Sequence, residues 1–367
     1  MTESELITTL ALQHVPYIGD IIAKKLIGHC GSPAEVFKEK RSKLLKINGV
    51  GSRNIADLWN PDHFRAAEKE MEFILKNRIG HSYFEEEEYP ERLKHCVDGP
   101  ILIFKKGHTD IRNKKVISVV GTRQVTAYGL SVCEKLIEEL SVLDPVIVSG
   151  FAYGVDIIAH RAAVKNGLQT IGCLAHGLNQ VYPKEHKKYR KQIEEKGGFI
   201  TDFWSTAHPD KENFIKRNRI IAGLSEATIV IESAEKGGSL ITADLANSYN
   251  REVFAVPGRT GDRYSRGCND LIRSQKAHLL SSVADLIYIL GWELEQKEVP
   301  AVQKKLFAEL DPTEKIIYDF LLQNGKELLD IIALKCALPV HKVAASLLEM
   351  ELKGVIRPLP GKLYEII

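Results

Sequence analysis

The 367-residue, 41.1 kDa chain is too long for one ordinary domain and, at ~150 residues each, has room for two or three. Apolar residues at 44% and charged residues at 27% exclude disordered, collagen-like and fibrous classes. Fifty Lys and Arg against forty-eight Asp and Glu leave a net charge of only +2, so binding to nucleic acid would have to rest on a local basic surface.

Residues 1–80 read as a helical unit. Their apolar spacing is helical, and two similar Gly-bearing turns, VPYIGDIIAKKL (15–26) and INGVGSRNIADL (47–58), are each expected to open a helix, as in a helix-hairpin-helix. In such a hairpin the turn amides hold one phosphate and the second helix supplies a base, here Arg53; a protein-interaction bundle would use the same turns for packing alone. The start, MTESELITTL, lacks a basic segment followed by an apolar one, and no apolar run approaches the ~18 residues of a membrane span, so a cytoplasmic protein without a span is expected. A connecting segment, 81–115, follows, with an acidic run from Glu85 to Glu88 that reads as a solvated face and one or two short strands.

From 116 to 290 short Val/Ile-rich runs alternate with helices. The runs are 116–120, 146–149, 170–175, 199–203, 228–232 and 253–257; the helices are 126–143, 155–167, 184–197, 213–225 and 239–250. Near-continuous apolar strands alternating with helices predict an α/β, Rossmann-like, doubly wound and mostly parallel sheet covered on both faces. A polar linker spans 291–310 and a third unit 311–367. There, helices at 313–323, 327–336 and 340–353 and a hairpin turning at Pro360-Gly361 predict a winged helix, equally suited to DNA or protein.

In an open parallel sheet ligands bind outside the carboxyl ends of the strands. Those turns are glycine-rich here: Gly121-Thr122-Arg123, Gly150 to Asp156, His176-Gly177, and Lys236-Gly237-Gly238-Ser239. Glycines let backbone N–H groups approach an anion, and Ser239 sits where an N-cap would open a helix. One such turn would be ordinary strand-to-helix geometry; four on one edge favour a phosphate-bearing ligand. Between 211 and 219, Lys211, Lys216, Arg217 and Arg219 against Glu212 give a local +3 in the first turns of a helix, where the macrodipole favours acids. An anionic ligand removes that conflict. The competing reading pairs Arg217 or Arg219 with a carboxylate such as Asp202 or Glu232.

No GxGxxG, GxxxxGK[ST], HExxH or GxSxG motif is present, and the six cysteines form neither a CxxC pair nor a zinc-ligand cluster. No cofactor, metal or catalytic group is therefore expected. Single-stranded nucleic acid along the strand ends fits better, with Phe214, Phe151 or Tyr153 as stacking platforms, Phe214 foremost.

The blocks VVGTRQVTAYG, VSGFAYGVDIIAH, TIGCLAHGLNQVYP, FIKRNRIIAGLS, IESAEKGGSLITADLANSYNREVFAVPG and GCNDLIRSQKA resemble, in order, the signatures of the DNA processing protein A (Smf) family. The resemblance implies a sterile-alpha-motif-like N-terminal domain and a winged-helix C-terminal domain. It implies a non-enzymatic protein that binds and protects single-stranded DNA during natural transformation and loads a RecA-type recombinase on it. It further implies a homodimer, with single-strand-binding protein as a further partner. Carried over by position, Arg123, Lys216, Arg217, Asn218 and Arg219 would contact phosphates, and Gly237, Gly238 and Ser239 would offer backbone donors; Gly121, Gly150 and Phe214 complete the expected DNA site. Thr122, Ile215 and Gly237 depart from the family's usual Ser, Pro and Ser. The rival is a nucleotide-processing enzyme like the lysine-decarboxylase-like phosphoribohydrolases, but their PGGxGTxxE loop aligned on Gly237-Gly238 meets Leu240, Ile241 and Asp244 instead of Gly, Thr and Glu.

Overall fold

The computed structural model describes residues 1–292, 310–359 and 363–366. Contacts divide the chain into two units, Met1–Leu294 and Glu295–Ile367.

The first unit begins with helices α1 (Glu3–His14), α2 (Asp20–Cys30), α3 (Pro33–Lys38), α4 (Arg41–Leu44) and α5 (Asp62–Lys76). The first Gly turn does open a helix, α2, with Gly19 as N-cap. The second does not. Residues 52–59 are successive turns whose N–H groups reach back three residues, as from Asn54 to Gly51 and Leu58 to Ile55. The Asn54 side chain accepts from the Gly51 amide at 2.8 Å and donates to the Tyr17 carbonyl at 2.7 Å, local bonds that compete with a helical ladder. Arg53, expected on a phosphate, lies over the Tyr17 ring at 4.0 Å.

Then come β1 (Gly80–Tyr83), α6 (Glu91–Lys94), β2 (Leu102–Gly107), β3 (Val116–Val120), α7 (Ala127–Leu140), β4 (Val146–Ser149), α8 (Val155–Lys165), β5 (Thr170–Cys173), α9 (Lys187–Lys196) and β6 (Gly198–Thr201). The unit closes with α10 (Lys211–Leu224), β7 (Ala227–Val230), α11 (Gly238–Ser248), β8 (Glu252–Ala255), α12 (Arg266–Arg273), β9 (His278–Leu279) and α13 (Val283–Leu290). The strands form one sheet in the order β1-β2-β6-β5-β4-β3-β7-β8-β9. From β6 to β9 all neighbours are parallel; β1 and β2 add an antiparallel extension on β6. The segment expected to connect two domains is thus part of the sheet.

All five residues of β3 are buried because successive side chains enter cores on opposite faces. Val116 and Val120 pack with Ile220, Ile221 and Ala243 on one face; Ile117 and Val119 pack with Ile137, Leu140 and Ile158 on the other. A third cluster runs without interruption from Leu10, Leu26 and Ile74 to Phe104, Phe151 and Phe199, so the N-terminal helices and one end of the sheet bury apolar surface against each other.

The second unit contains α14 (Pro312–Asn324), β10 (Glu327–Leu328), α15 (Leu329–Lys335), α16 (Val340–Leu352), β11 (Ile356–Leu359) and β12 (Leu363–Ile366), with strand order β10-β12-β11: a winged helix. The expected second helix is shorter because its first two residues pair with β12. Asp311 caps α14, accepting from the Glu314 amide at 2.8 Å, while Glu314 accepts from the Asp311 amide at 2.7 Å. Most of the expected linker 291–310 and the Pro360-Gly361 turn lie outside the described residues. Among the described residues no single helix is long and apolar enough to cross a membrane.

Candidate functional site

The chain steps from β3 through β4 and β5 to β6 on one side, then returns to place β7 on the other side of β3. The loops after β3 and β7 therefore diverge at the carboxyl ends of adjacent strands, which is where open α/β sheets form crevices. A cleft of about 820 Å³ opens there, bounded by the loop after β3, the first half of α10 and the turn into α11.

The first wall is held by Glu232, which is buried. Its carbonyl accepts from the Thr122 amide at 2.8 Å, and its carboxylate accepts from the Thr126 amide at 2.9 Å and hydroxyl at 2.6 Å. The Thr126 hydroxyl in turn accepts from the Gly129 amide at 3.2 Å and caps α7. Gly129 is needed because a Cβ there would stand 2.4 Å from the Glu232 carboxylate. Between these anchors Arg123 is exposed, and its guanidinium lies 5.1 Å from the centre of the Phe214 ring.

The second wall shows why α10 divides its charges. Helical spacing puts Phe214, Arg217, Asn218 and Ile221 on one stripe, facing the cleft. Lys216 and Arg219 fall on the other side, along a neighbouring groove of about 870 Å³ beside α2, and line no part of the cleft. Arg219 donates to Asp20 at 2.8 Å, to Asp202 at 2.6 Å and to the Asp98 carbonyl. Burial alone would lower its pKa, but Asp202 and Asp20 raise it above the ordinary guanidinium value. Of the two readings of this arginine, the carboxylate pairing is the one observed. Its charge is engaged inside the fold.

Arg217 borders the cleft floor but is only 4% exposed. It donates to the Cys173 carbonyl, and burial pulls its pKa down while Asp156 pulls it up. Asp156, buried beside it, has its pKa pushed up by desolvation, against the opposing effect of Arg217. Below them His160 donates from Nε2 to the Gly150 carbonyl at 2.6 Å, and burial pushes its pKa down to about 4.

The glycines separate into two kinds. A Cβ on Gly121 would stand 2.5 Å from Val155, and one on Gly150 would stand 2.2 Å from the Asp156 carboxylate and 2.7 Å from the Arg217 guanidinium. These two make room for packing. Gly238 faces open space. The N-cap of α11 is Gly237, not Ser239: Gly237 brings no capping side chain, and the Ser239 hydroxyl is turned inward onto Ser233 at 2.9 Å. No side chain caps the first turn of α11: the Leu240 amide reaches back to the Gly237 carbonyl at 3.1 Å, and Gly238 and Ser239 line the cleft, as at anion sites on helix N-termini.

The cleft's exposed cations are Arg123, Lys211 and Lys236, none of which has an ion-pair partner among the described residues. Lys236 was hidden inside a turn read for its glycines. Tyr182, 5.7 Å from Phe214 ring to ring, is a second aromatic on the rim. Phe151, considered for stacking, is core, and Tyr153 is bound to Glu185. Asp244, at the Glu position of the phosphoribohydrolase loop, is paired with Lys276 at 3.0 Å.

A family model described as DNA recombination-mediator protein A matches residues 81–291, which carry every wall of the cleft. The chain belongs to this family. A model of the DprA winged helix domain matches residues 304–362. Protein Smf of Escherichia coli is 34% identical over 278 residues, 74% of each chain. DNA processing protein DprA of Bacillus subtilis is 40% identical over 200 residues, 54% of this chain and 67% of that one. The crystal structure of DNA processing protein A from Streptococcus pneumoniae superposes with a TM-score of 0.67 at 31% identity, covering 78% of this chain and 98% of that one. A structure of the Helicobacter pylori protein, described by its single-stranded DNA binding mode, gives 0.52 at 29% identity, covering 57% and 95%.

Proposed function

We propose that this chain binds single-stranded DNA in the cleft between the β3 loop, α10 and the start of α11, and that it acts as a recombination mediator on strands taken up during transformation. The observation that carries the reading is the convergence of unpaired Arg123, Lys211 and Lys236, the Phe214 ring and uncapped α11 amides on one crevice. Cations and amides suit phosphates, and a half-buried aromatic flanked by guanidinium suits an unstacked base. Arg123 and Lys236 are the phosphate contacts on this reading, Asn218 a polar contact, and Arg217 a buried support for α10. The relatives' names and the strand-binding description of the Helicobacter pylori protein agree with it. Delivery of a RecA-type recombinase to the bound strand, in concert with single-strand-binding protein and as a homodimer, rests on family membership.

A salt-dependent titration of the full chain against single-stranded and duplex DNA tests this. Single strands should bind more tightly, and Arg123→Ala should weaken them and flatten the dependence of log affinity on log salt by about 0.7. Equal affinity for duplex, or an unchanged Arg123→Ala titration, overturns the assignment.

A further inference from the structure

The loop between β8 and α12, together with the first residue of that helix, carries Arg259, Arg263 and Arg266, all exposed, against the single acid Asp262. None of the three arginines has an ion-pair partner among the described residues, although other surface arginines, such as Arg65, Arg112 and Arg273, do. Arg266 stands at the first position of α12, where the helix dipole favours an acid. The loop is attached to the cleft on its inner side. Tyr264 donates its hydroxyl to Gln124, which lines the cleft, and its carbonyl accepts from the Ser233 amide at 2.7 Å, just ahead of the turn into α11. Two internal turns, from Asp262 to Arg259 and from Ser265 to Asp262, keep it folded against that wall. Arg263 lies 5.6 Å from the Tyr264 ring centre.

The surfaces on two sides of the cleft differ in charge. Beyond the ridge of Ile215 and Ile241, the neighbouring groove carries Asp20, Asp98 and Asp202 against Lys216 and Arg219, a net charge of −1 that repels a phosphate chain. On the Gln124 side the surface is basic and uncompensated.

We propose that the strand held by the cleft continues past Gln124 over the β8–α12 loop, with Arg259, Arg263 and Arg266 contacting its phosphates as an extension of the site. This rests on the reading of the cleft as a single-strand site and adds the strand's direction and length.

The test uses the full chain with Arg259, Arg263 and Arg266 all replaced by Gln, titrated with oligothymidylates of about four and about sixteen nucleotides, the span of known single-strand site sizes. On the proposal the short oligomer stays within the cleft, so it should bind the variant as it binds the wild type. The long one should bind more weakly, with a salt slope reduced by about 2, from three contacts at about 0.7 each. The side chains are exposed, so an unchanged melting temperature is the folding control; if the triple variant melts early, the three single variants replace it, each expected to lose about 0.7 of slope. Unchanged binding of the long oligomer, or equal weakening of both, overturns the extension while leaving the cleft intact. Failure of the wild type to bind either oligomer removes the reading of the cleft, and the extension with it.

Discussion

Replacing Arg219 with Ala separates a structural role from a DNA-binding one. The guanidinium is the shared partner of Asp20 in α2 and Asp202 after β6, at 2.8 and 2.6 Å, with the three side chains between 9% and 16% exposed. It therefore ties the N-terminal helices to the sheet. Removing it leaves two facing carboxylates without a counter-charge in a poorly solvated place, which costs about 3–5 kcal/mol. For a unit of this size each kcal/mol moves the melting temperature by roughly 1.5–2 °C, so a fall of about 5–10 °C is expected. Trp59, Trp204 and Trp292, the only tryptophans, all lie in the first unit, so tryptophan emission follows its unfolding. Trp204 donates to Gln13 of α1 at 3.1 Å, across the junction that Arg219 fastens. In the same preparation, well below its melting temperature, single-stranded DNA should bind as to the wild type. A variant that melts like the wild type yet loses DNA affinity as Arg123→Ala does would refute the argument and return Arg219 to the phosphates.

Phe214→Ala should weaken single-strand binding by about 1–3 kcal/mol, the worth of one base stacked on an aromatic, while Phe214→Trp should keep most of it; anisotropy titrations that fail to distinguish the two would exclude stacking. Stability should also depend on His160. Its pKa, lowered by burial from 6.5 to about 4, makes the folded state the weaker proton binder, so its contribution is present above pH 6.5 and is lost as pH falls toward 4. Between pH 7 and 5 this amounts to about 2 kcal/mol, read as a drop in the urea midpoint of the tryptophan signal that His160→Gln should shrink.

Strands were readable from sequence where a run is buried on both faces, as in VISVV, because no polar alternation interrupts it. The extension by β1 and β2 was not, since its pairing partner β6 lies some ninety residues along the chain and only the fold brings them together. α10 starts two residues earlier than its apolar pattern suggests because Asp210 caps it, accepting from the Glu212 amide at 2.8 Å. The basic run of α10 pointed to the candidate cleft but not to which of its residues line it. Helical spacing already sets Phe214, Arg217 and Asn218 apart from Lys216 and Arg219, whereas the neutralising Asp20 is 199 residues from Arg219. Glycines likewise marked the strand ends without revealing that Gly121 and Gly150 yield space to Val155 and to the Asp156 and Arg217 side chains.

Glu232 shapes how the Arg123 loop can respond to a ligand. Because one buried residue grips that loop at Thr122 and again at Thr126, its ordering is completed as the chain folds, and little backbone freedom remains to be surrendered on encounter. On the proposed reading of the cleft, loosening either grip would let Arg123 sample orientations unsuited to a phosphate, so complexes would dissociate faster although no touching atom had been altered.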